Sequence, residues 1–375
     1  GATITGGNFW IGKVYTDAAV SNVTIRHCQL DGNKANNTVV GATAIGFGGT
    51  NILIEHNYIH DTFFACVVLG RPTGAYNMRI VDNWCDNTGT NASNWGAFAF
   101  TGGRHLWMLN NLATSTDFGM CYSYDIEPNT GWDIGNILSQ GNMSVGGGSS
   151  NNFCNAIQVM GRLLQPLDNV ILSQNTIFDL HSGRAIGFAA VSGLLIQGNY
   201  VNSTVGGSIG PSSGINPASP IRNVSIVHNI LRGGGGILYG RSPGSITPIL
   251  IANNHIEAPI TGISVGAVTG GTITGNTISN ATGQGIVLTD VSHMVVSQNT
   301  SQDGALHGVR LLGASNNNVI TSNVLSGNMQ RGISEEGSAD FNIIRSNNLT
   351  NNTVGAVSVV GINTVVRDNM GVPSE

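Results

Sequence analysis

The sequence predicts an all-β fold in which short parallel strands wind into a solenoid. First, the phrase Asn-apolar-x-apolar-x-x-Asn-x-apolar recurs about a dozen times along the 375 residues, for example at 51–59, 77–85 and 223–231. Second, a Gly-apolar-x-apolar segment follows the phrase in many of its copies. Third, the apolar residues alternate with polar ones, which is the period of a strand and not of a helix. Such a repeat indicates one structural unit per copy, stacked on the next.

The second Asn of the phrase marks the length of the repeat. It occupies positions Asn57, Asn83, Asn111, Asn142, Asn175, Asn199, Asn229, Asn254, Asn276, Asn299, Asn323, Asn347 and Asn369. The last steps are 22 to 24 residues long, which predicts about 13 coils of roughly 20–25 residues. Because Asn adopts left-handed conformations and hydrogen-bonds within turns, we expect these side chains to stack as a ladder. A coil cannot bury its apolar face alone, so residues 1–375 are predicted to form a single domain.

The composition excludes several partners. Only 9% of the residues are charged and the formal net charge is −5, so nucleic acid is not an expected partner. No apolar run reaches the ~18 residues of a membrane-spanning helix, so a membrane is not expected either. The chain begins within strand-like sequence, as we expect of a trimmed mature protein or an excised domain.

The cysteines lack the spacing of a metal site. All five lie within the first 154 residues, and their odd number excludes a complete set of intrachain disulfides. We expect free thiols, mostly in the core stack, at Cys28, Cys66, Cys85, Cys121 and Cys154.

The repeat is regular in one region and irregular in another. Coils at about 250–370 have short loops, whereas those at about 50–230 carry extra residues. Extra residues in a solenoid form loops on one face, often the binding face. They fall at Asp86–Trp95, Pro128–Asp133, Ser144–Asn155 and Arg162–Asp168. These segments flank the Gly-apolar-x-apolar strands, so we predict a groove along the outer face of those strands, suited to an extended glycan.

One coil places two acids on the floor of this groove. Asp125 and Glu127 are two residues apart on a predicted strand, so both should point outward, with Cβ atoms roughly 7 Å apart. The aligned outward positions of neighbouring coils are neutral, at Val68, Ala99, Gln158 and Gly187. Two close carboxylates raise each other's proton affinity, so one can remain an acid while the other is ionised. Glycoside hydrolysis requires such a pair, and these two are the predicted catalytic residues.

Nearby side chains are candidates for substrate binding. Arg can hold a carboxylate or sulfate in a bidentate manner, and Trp can stack on a sugar ring. The candidates are Tyr122, Arg104, His105, Arg162, Gln158, Trp132, Asp133, His60, Asp61, Arg71 and Trp95. Alternatively, Asp125 and Glu127 form ion pairs with Arg104 or Arg162, or bind a cation. Glu335 and Glu336 lie in short-looped coils and are interpreted as surface residues.

The repeat resembles that of the right-handed parallel β-helix proteins of the pectate-lyase-like superfamily, over nearly the whole chain. The resemblance implies three strands per coil, PB1, PB2 and PB3, with the Asn ladder between PB2 and PB3 and the Gly-apolar-x-apolar strand as PB1. Asp125–Asn129 resembles a Gly-Ile-Asp-Ile-Glu-Pro-Asn phrase of bacterial and phage β-helix proteins. Tyr122–Asp125 is similar to the Tyr-Gly-Phe-Asp-Pro-His of mannuronan C5-epimerases and alginate lyases, but Ile126 and Glu127 replace Pro-His.

Three functions follow from these observations. The first is a glycoside hydrolase that uses Asp125 and Glu127 without a cofactor. The second is a uronate polysaccharide lyase or C5-epimerase, for which Ca²⁺ would be an expected cofactor. The third is a non-catalytic carbohydrate-binding adhesin or tailspike-like protein. All three imply a polysaccharide partner and an extracellular, secreted location or the surface of a phage virion. Leu30–Asn37 resembles the early coils of phage tailspikes, which are often trimers, so both a monomer and a homotrimer remain open.

Overall fold

The computed structural model describes most of the chain. The described residues are 3–5, 20–36, 43–70, 75–88, 96–114, 122–129, 131–146, 155–162, 166–180, 183–203, 207–211, 221–240 and 246–372. Strands and turns account for the secondary structure in these ranges, and no helix there is long and apolar enough to cross a membrane. The chain divides into two compact units. The first comprises Gly1–Leu195, Asn199–Gly206 and Ser212–Ser219, and the second comprises Ile196–Gly198, Gly207–Pro211 and Pro220–Glu375.

The first unit contains three parallel sheets, which confirms the predicted all-β solenoid. With strands numbered in chain order, PB3 consists of β1 (Thr3–Thr5), β3 (Gln29–Asp31), β6 (Tyr58–His60), β9 (Trp84–Asp86), β12 (Leu112–Thr114), β15 (Met143–Val145), β18 (Thr176–Phe178) and β21 (Tyr200–Ser203). PB1 consists of β4 (Thr43–Phe47), β7 (Ala65–Leu69), β10 (Gly96–Phe100), β13 (Tyr122–Ile126), β16 (Asn155–Met160) and β19 (Arg184–Ala189). PB2 consists of β2 (Val20–Arg26), β5 (Gly49–Glu55), β8 (Tyr76–Val81), β11 (Gly103–Leu109), β14 (Ile134–Gln140), β17 (Leu167–Ser173) and β20 (Val191–Gln197), of which the part up to Leu195 belongs to this unit.

The second unit is built in the same way. Its PB1 strands are β22 (Ser208–Pro211), β25 (Ile237–Tyr239), β28 (Ile263–Gly266), β31 (Ile286–Thr289), β34 (Val309–Leu312), β37 (Arg331–Glu335) and β39 (Gly355–Ser358). PB2 contains β23 (Ile221–Val227), β26 (Ile246–Ala252), β29 (Thr269–Thr274), β32 (Ser292–Ser297), β35 (Val319–Thr321), β38 (Ile343–Arg345) and β40 (Val365–Arg367). PB3 contains β24 (Ile230–Gly233), β27 (His255–Glu257), β30 (Thr277–Ser279), β33 (Thr300–Gln302) and β36 (Val324–Ser326).

The predicted Asn ladder is present in both units, at the turn between PB2 and PB3. Within the ladder, the Oδ1 of one Asn accepts the backbone N–H and the side-chain amide of the preceding Asn, as Asn83 does from Asn57 at 3.1 and 2.9 Å. The second donor hydrogen of each side chain reaches a PB2 carbonyl of the preceding coil, for example Asn83 to Ile54 at 2.9 Å. The ladder amides are therefore buried with their hydrogen bonds made, as buried polar groups require.

The left-handed conformations fall elsewhere in the repeat. Asp82 and Asn110, which immediately precede ladder residues, both have φ of 53°. The first Asn of the phrase is also left-handed, with φ of 54° at Asn51 and 56° at Asn77. The two properties expected of Asn are thus divided between positions: the first Asn turns the chain, and the second supplies the buried hydrogen bonds.

A disulfide corrects the expectation of free thiols. Cys66 on PB1 is bonded to Cys85 on PB3 of the same turn, at a sequence separation of 19. Two turns further on, Ser123 and Ser144 occupy the equivalent positions, and their Oγ atoms lie 2.5 Å apart. Cys28 is the free cysteine among the described residues, and Cys121 and Cys154 lie outside them.

Glu335 is a second correction, because it is fully buried instead of lying on the surface. Its Oε1 accepts hydrogen bonds from Asn342 at 2.6 Å and Thr364 at 2.9 Å. Its Oε2 accepts the backbone N–H groups of Val360 and Gly361 at 3.3 and 3.0 Å. Burial of this carboxylate is tolerated because four donors surround it, and three of them belong to the final turn of the chain.

Replacing both bonded cysteines with serine should weaken the first unit without unfolding it. Closing a loop of this length contributes about 3 kcal/mol, so thermal unfolding of the Cys66→Ser/Cys85→Ser variant should begin several degrees earlier. Circular dichroism should still show native β-structure, because serines already fill the equivalent positions two turns away. A variant that does not fold would contradict this expectation.

Removing the Glu335 carboxylate should release the last turn of the second unit. Glu335→Ala leaves four donors without their acceptor, which should lower the free energy of unfolding by about 3 kcal/mol and expose residues after 350 to proteolysis. Its neighbour Glu336 is partly exposed and forms an ion pair with Arg310 at 2.6 Å, so Glu336→Ala is the matched control and should cost less than about 1 kcal/mol. Equal effects of the two substitutions would refute the anchoring role of Glu335.

Candidate active site

Strand β13 carries Asp125, Glu127 follows directly after the strand, and the register agrees with the prediction. Tyr124 points into the core and is fully buried, so the alternate residue Asp125 lies on the outer face of PB1. Asp125 is aligned with Ala99 on one side and Gln158 on the other. The predicted column is confirmed throughout, since Ala99 is aligned with Val68 and Gln158 with Gly187.

The outer face of PB1 in this region is buried, which differs from the open groove floor expected from sequence. Phe64 packs with Ala65, Val68 and Ala99 in a small apolar cluster. The apolar part of the column therefore ends at Ala99. Asp125 is the first carboxylate beyond it and is only 4% exposed.

Asp125 is buried without full hydrogen bonding. Its Oδ1 has no hydrogen-bond partner among the described residues, and neither has Oγ1 of Thr101. Such atoms are rare in folded proteins, because each one costs the desolvation of a polar group. A catalytic role is one explanation for such an atom.

Glu127 lies just beyond the end of β13 and faces solvent. Its backbone N–H donates to the Phe100 carbonyl at 3.1 Å, which continues the PB1 ladder by one residue. Its carboxylate is 29% exposed and lies 3.3 Å from Nη2 of Arg162. Arg162 is held in turn by a 2.8 Å hydrogen bond from Nε to the Pro128 carbonyl. The predicted alternative, an ion pair with Arg162, therefore exists for Glu127 and is compatible with the carboxylate pair.

The two carboxyl groups differ in electrostatic environment. Burial raises the pKa of Asp125 well above its ordinary value, and the neighbouring charge of Glu127 raises it further. Burial also raises the pKa of Glu127, but the Arg162 guanidinium opposes that increase. Asp125 is consequently the group that keeps its proton, and Glu127 is the group that ionises first.

Two further predicted residues complete this cluster. Tyr122, at the start of β13, is buried beside the acids, and its pKa is raised first by burial and then by the charges of Asp125 and Glu127. Gln158 is aligned with Asp125, and its side-chain carbonyl accepts a hydrogen bond from the Asn155 amide. Asn155 was not predicted. The hydrogen bond to Gln158 identifies it, because alternation along β16 alone would place residues three apart on opposite faces.

Arg104 and Asp133 form a separate group at the start of PB2. Arg104 binds Asp133 in a bidentate manner at 2.6 and 3.0 Å and also contacts Asp168 at 3.2 Å. The structure thus satisfies Arg104 with two acids other than the catalytic candidates. This arrangement closes the turn between PB1 and PB2.

The remaining predicted residues are not assembled with the acid pair. His105 replaces the first Asn of its repeat, with φ of 56°, and stacks near Trp107 on PB2 at 6.5 Å between ring centroids. Trp132 is 9% exposed, so its ring offers little surface to a sugar. Arg71 and Trp95 lie outside the described residues.

His60 and Asp61 belong to a second cluster at the end of PB3. Nδ1 of His60 lies 2.8 Å from the Asp61 carboxylate, and that hydrogen bond is the main cause that lowers the pKa of Asp61. Among the described residues, Asp31, His60 and Asp61 form the group that could hold a cation. One potential ligand atom from each residue lies within 4.8 Å of those of the other two.

Replacing Asp125 should stabilise the protein at neutral pH. A carboxyl whose pKa is raised by folding contributes its stability below the pKa of the unfolded chain, and that contribution is lost as the pH rises towards the folded pKa. Asp125→Asn removes the penalty of ionisation, so its melting temperature should exceed that of the wild type by a few degrees near pH 7 and match it near pH 4. Glu127→Gln should give a smaller gain, because Arg162 already favours the ionised form. A gain that is independent of pH would show that ionisation of Asp125 is not its source.

Comparisons with known proteins agree with the architecture. A family model described as a right-handed beta helix region matches residues 214–370. No curated protein matches the chain. Among solved structures, the A-module of the Azotobacter vinelandii mannuronan C-5 epimerase AlgE6 is similar at 14% identity, with a TM-score of 0.54 over 100% of this chain and 92% of that one.

Two other solved structures show weaker similarity. The Streptococcus pneumoniae surface adhesin PfbA is 13% identical over 91% of this chain and 84% of that one, with a TM-score of 0.46. Tailspike protein 3 of bacteriophage CBA120 is 11% identical over 100% of this chain and 52% of that one, with a TM-score of 0.44. Together with the sheet order and the Asn ladder, the family match and the epimerase module identify the fold of this chain as a right-handed parallel β-helix.

Proposed function

We propose that this chain is a polysaccharide-cleaving glycoside hydrolase whose acid and base are Asp125 and Glu127. The observation that carries the proposal is the pair itself: two carboxyls two residues apart, one buried with an unpartnered oxygen and the other partly exposed beside Arg162. Glycosidases need two carboxyls in different protonation states, and environments of this kind separate them.

The environments assign the roles. Asp125 retains its proton and gives it to the glycosidic oxygen as the bond to the anomeric carbon breaks. Ionised Glu127 either removes a proton from the attacking water or attacks the anomeric carbon directly. Arg162 keeps Glu127 ionised and oriented, and Gln158 offers an amide to a sugar hydroxyl beside the acid. Substrate would approach from the side of Glu127, because that is the exposed edge of the cluster.

Uronate elimination or C5-epimerisation is the second candidate, because Tyr122 lies beside the acids and the AlgE6 module is named for epimerisation of mannuronan. That chemistry needs a base at the sugar carbon and a cation at the uronate carboxylate. The raised pKa of Tyr122 disfavours a phenolate base, and the guanidinium of Arg162 is already paired with Glu127. These two features favour hydrolysis. A Ca²⁺ requirement would accompany the eliminative alternative.

The disulfide supports a location outside the cytosol. Cys66–Cys85 requires an oxidising compartment to form and persist. It supports the extracellular or virion-surface location that we propose, where a protein of this proposed function meets polysaccharides. The proposal applies equally to a monomer and to a homotrimer.

Activity should depend on both acids. On a panel of neutral and acidic polysaccharides, the wild type should release reducing ends without the ultraviolet absorbance of an unsaturated uronate. Asp125→Asn and Glu127→Gln should each lower the rate by about 10²–10⁴-fold. Glu336→Gln, in the second unit and ion-paired with Arg310, is the matched control and should retain full activity.

Other outcomes would reject the proposal in distinguishable ways. Absorbance that appears together with the new ends would indicate a lyase. Full activity in both variants would show that the reaction occurs at another site. Binding without cleavage of any polymer would indicate an adhesin or tailspike-like protein, in which the pair only binds the glycan.

A further inference from the structure

The outer face of PB3 in the first unit carries a second arrangement of side chains. Tyr58 and Trp84 begin β6 and β9 and are aligned with each other, one coil apart. The third residues of these strands, His60 and Asp86, form the adjacent column, which continues to Asp31 on β3. Residues two apart on a strand point to the same face, so an aromatic column and a polar column lie side by side.

The aromatic column presents a ring to solvent. Trp84 is 43% exposed, and its ring centroid lies 4.6 Å from that of Tyr58. Large aromatic rings bury much of their surface when a partner is present, so an exposed one on a flat sheet provides contact area. A single exposed ring bordered by polar groups fits the apolar face of a sugar better than the broad apolar surface of a protein partner.

Hydrogen bonds hold the exposed ring in place. The Trp84 indole N–H donates to Oγ1 of Thr114 at 3.0 Å, and the Thr114 hydroxyl donates to Asp86 at 2.5 Å. Burial raises the pKa of the Tyr58 hydroxyl, and the nearby charge of Asp86 raises it further. A ring fixed before binding loses less entropy when a ligand stacks on it, so this network is a form of preorganisation.

The neighbouring charges define the ligand. Asp31, Asp61 and Asp86 lie around the rings, and carboxylates accept hydrogen bonds from sugar hydroxyls. The three carboxylates outnumber the nearby ammonium of Lys34, which hydrogen-bonds to Asn87, so the surface repels uronates and sulfated sugars. The ligand suited to this surface is therefore a neutral glycan.

We propose that the PB3 face around Trp84 is a glycan-binding site for neutral sugar residues, separate from the acid pair on PB1. One sugar ring would stack on Trp84 and Tyr58, with its hydroxyls on Asp31 and Asp86. The site lies within the first unit and requires no catalysis, so it stands whether or not Asp125 and Glu127 cleave glycans.

Affinity electrophoresis in gels containing barley β-glucan, xyloglucan, galactomannan or dextran tests the site. The measurements use the Glu127→Gln background, so that the proposed hydrolysis does not consume the probe. We expect at least one polymer to retard the protein, and Trp84→Ala to weaken that binding at least tenfold. Thr114→Val should weaken it about threefold, because it removes only the group that orients the indole.

Trp107→Ala is the matched control, because Trp107 lies on the outer face of PB2 under the guanidinium of Arg79. It should leave binding unchanged, and all variants should melt within a few degrees of their parent. Retardation by none of the four polymers would overturn the proposal. So would equal losses in the two Trp variants, or binding that needs Ca²⁺ and persists in Trp84→Ala, which would assign the carboxylates to a cation.

Discussion

The buried Asn ladder is the constraint on which the rest of each unit depends. A side-chain amide has two donor hydrogens and one carbonyl, and burying it is tolerable only when these groups are bonded. In this chain the carbonyl accepts from the preceding rung, and the hydrogens reach that coil's PB2 carbonyl and the next rung. A rung displaced by one residue would lose all of these bonds, so the ladder fixes the register of every strand that follows it.

Because the register between successive strands is fixed, residues at the same position of each repeat align in a column across the coils. On the outer face of PB1 the column changes from an apolar cluster that ends at Ala99 to the polar residues Asp125 and Gln158. On PB3 it places Trp84 beside the carboxylate of Asp86 and the hydroxyl of Thr114. Both candidate sites therefore arise from substitutions within a repeat whose backbone does not change. The backbone supplies the spacing, and a few polar side chains supply the chemistry.

Prediction from sequence succeeded where the repeat itself determines the outcome. The ladder positions and the alignment of Asp125 with Ala99 and Gln158 follow from the period, because alternation along a strand and stacking between coils are both periodic. The burial of Asp125 and Glu335 could not be predicted in this way. Burial depends on what lies over a residue, and Glu335 is enclosed by a turn at Val360–Thr364 that belongs to no regular part of the phrase.

Two predicted site residues have surroundings other than those predicted, and the reason is again that the repeat does not determine what lies next to them. His105 follows a PB1 strand, as a groove residue would, but it occupies a turn position that Asn fills elsewhere. Arg104 was correctly placed near the turn, yet its partners Asp133 and Asp168 come from the next two coils. Contacts across coils depend on loop conformation, which the repeat does not encode.

The Cys66–Cys85 pair has a consequence for how such a chain can change over evolution. Successive turns fill this pair of core positions with a disulfide, with Ala97 and Ala113, and with the hydrogen-bonded Ser123 and Ser144. A covalent bond, a pair of apolar residues and a hydrogen-bonded polar pair thus occupy equivalent positions in successive turns. A cross-link in this fold can therefore move from one coil to another by paired substitution. A disulfide at positions 123 and 144 would make the stability of strand β13, which bears Asp125, depend on the oxidation state of its surroundings.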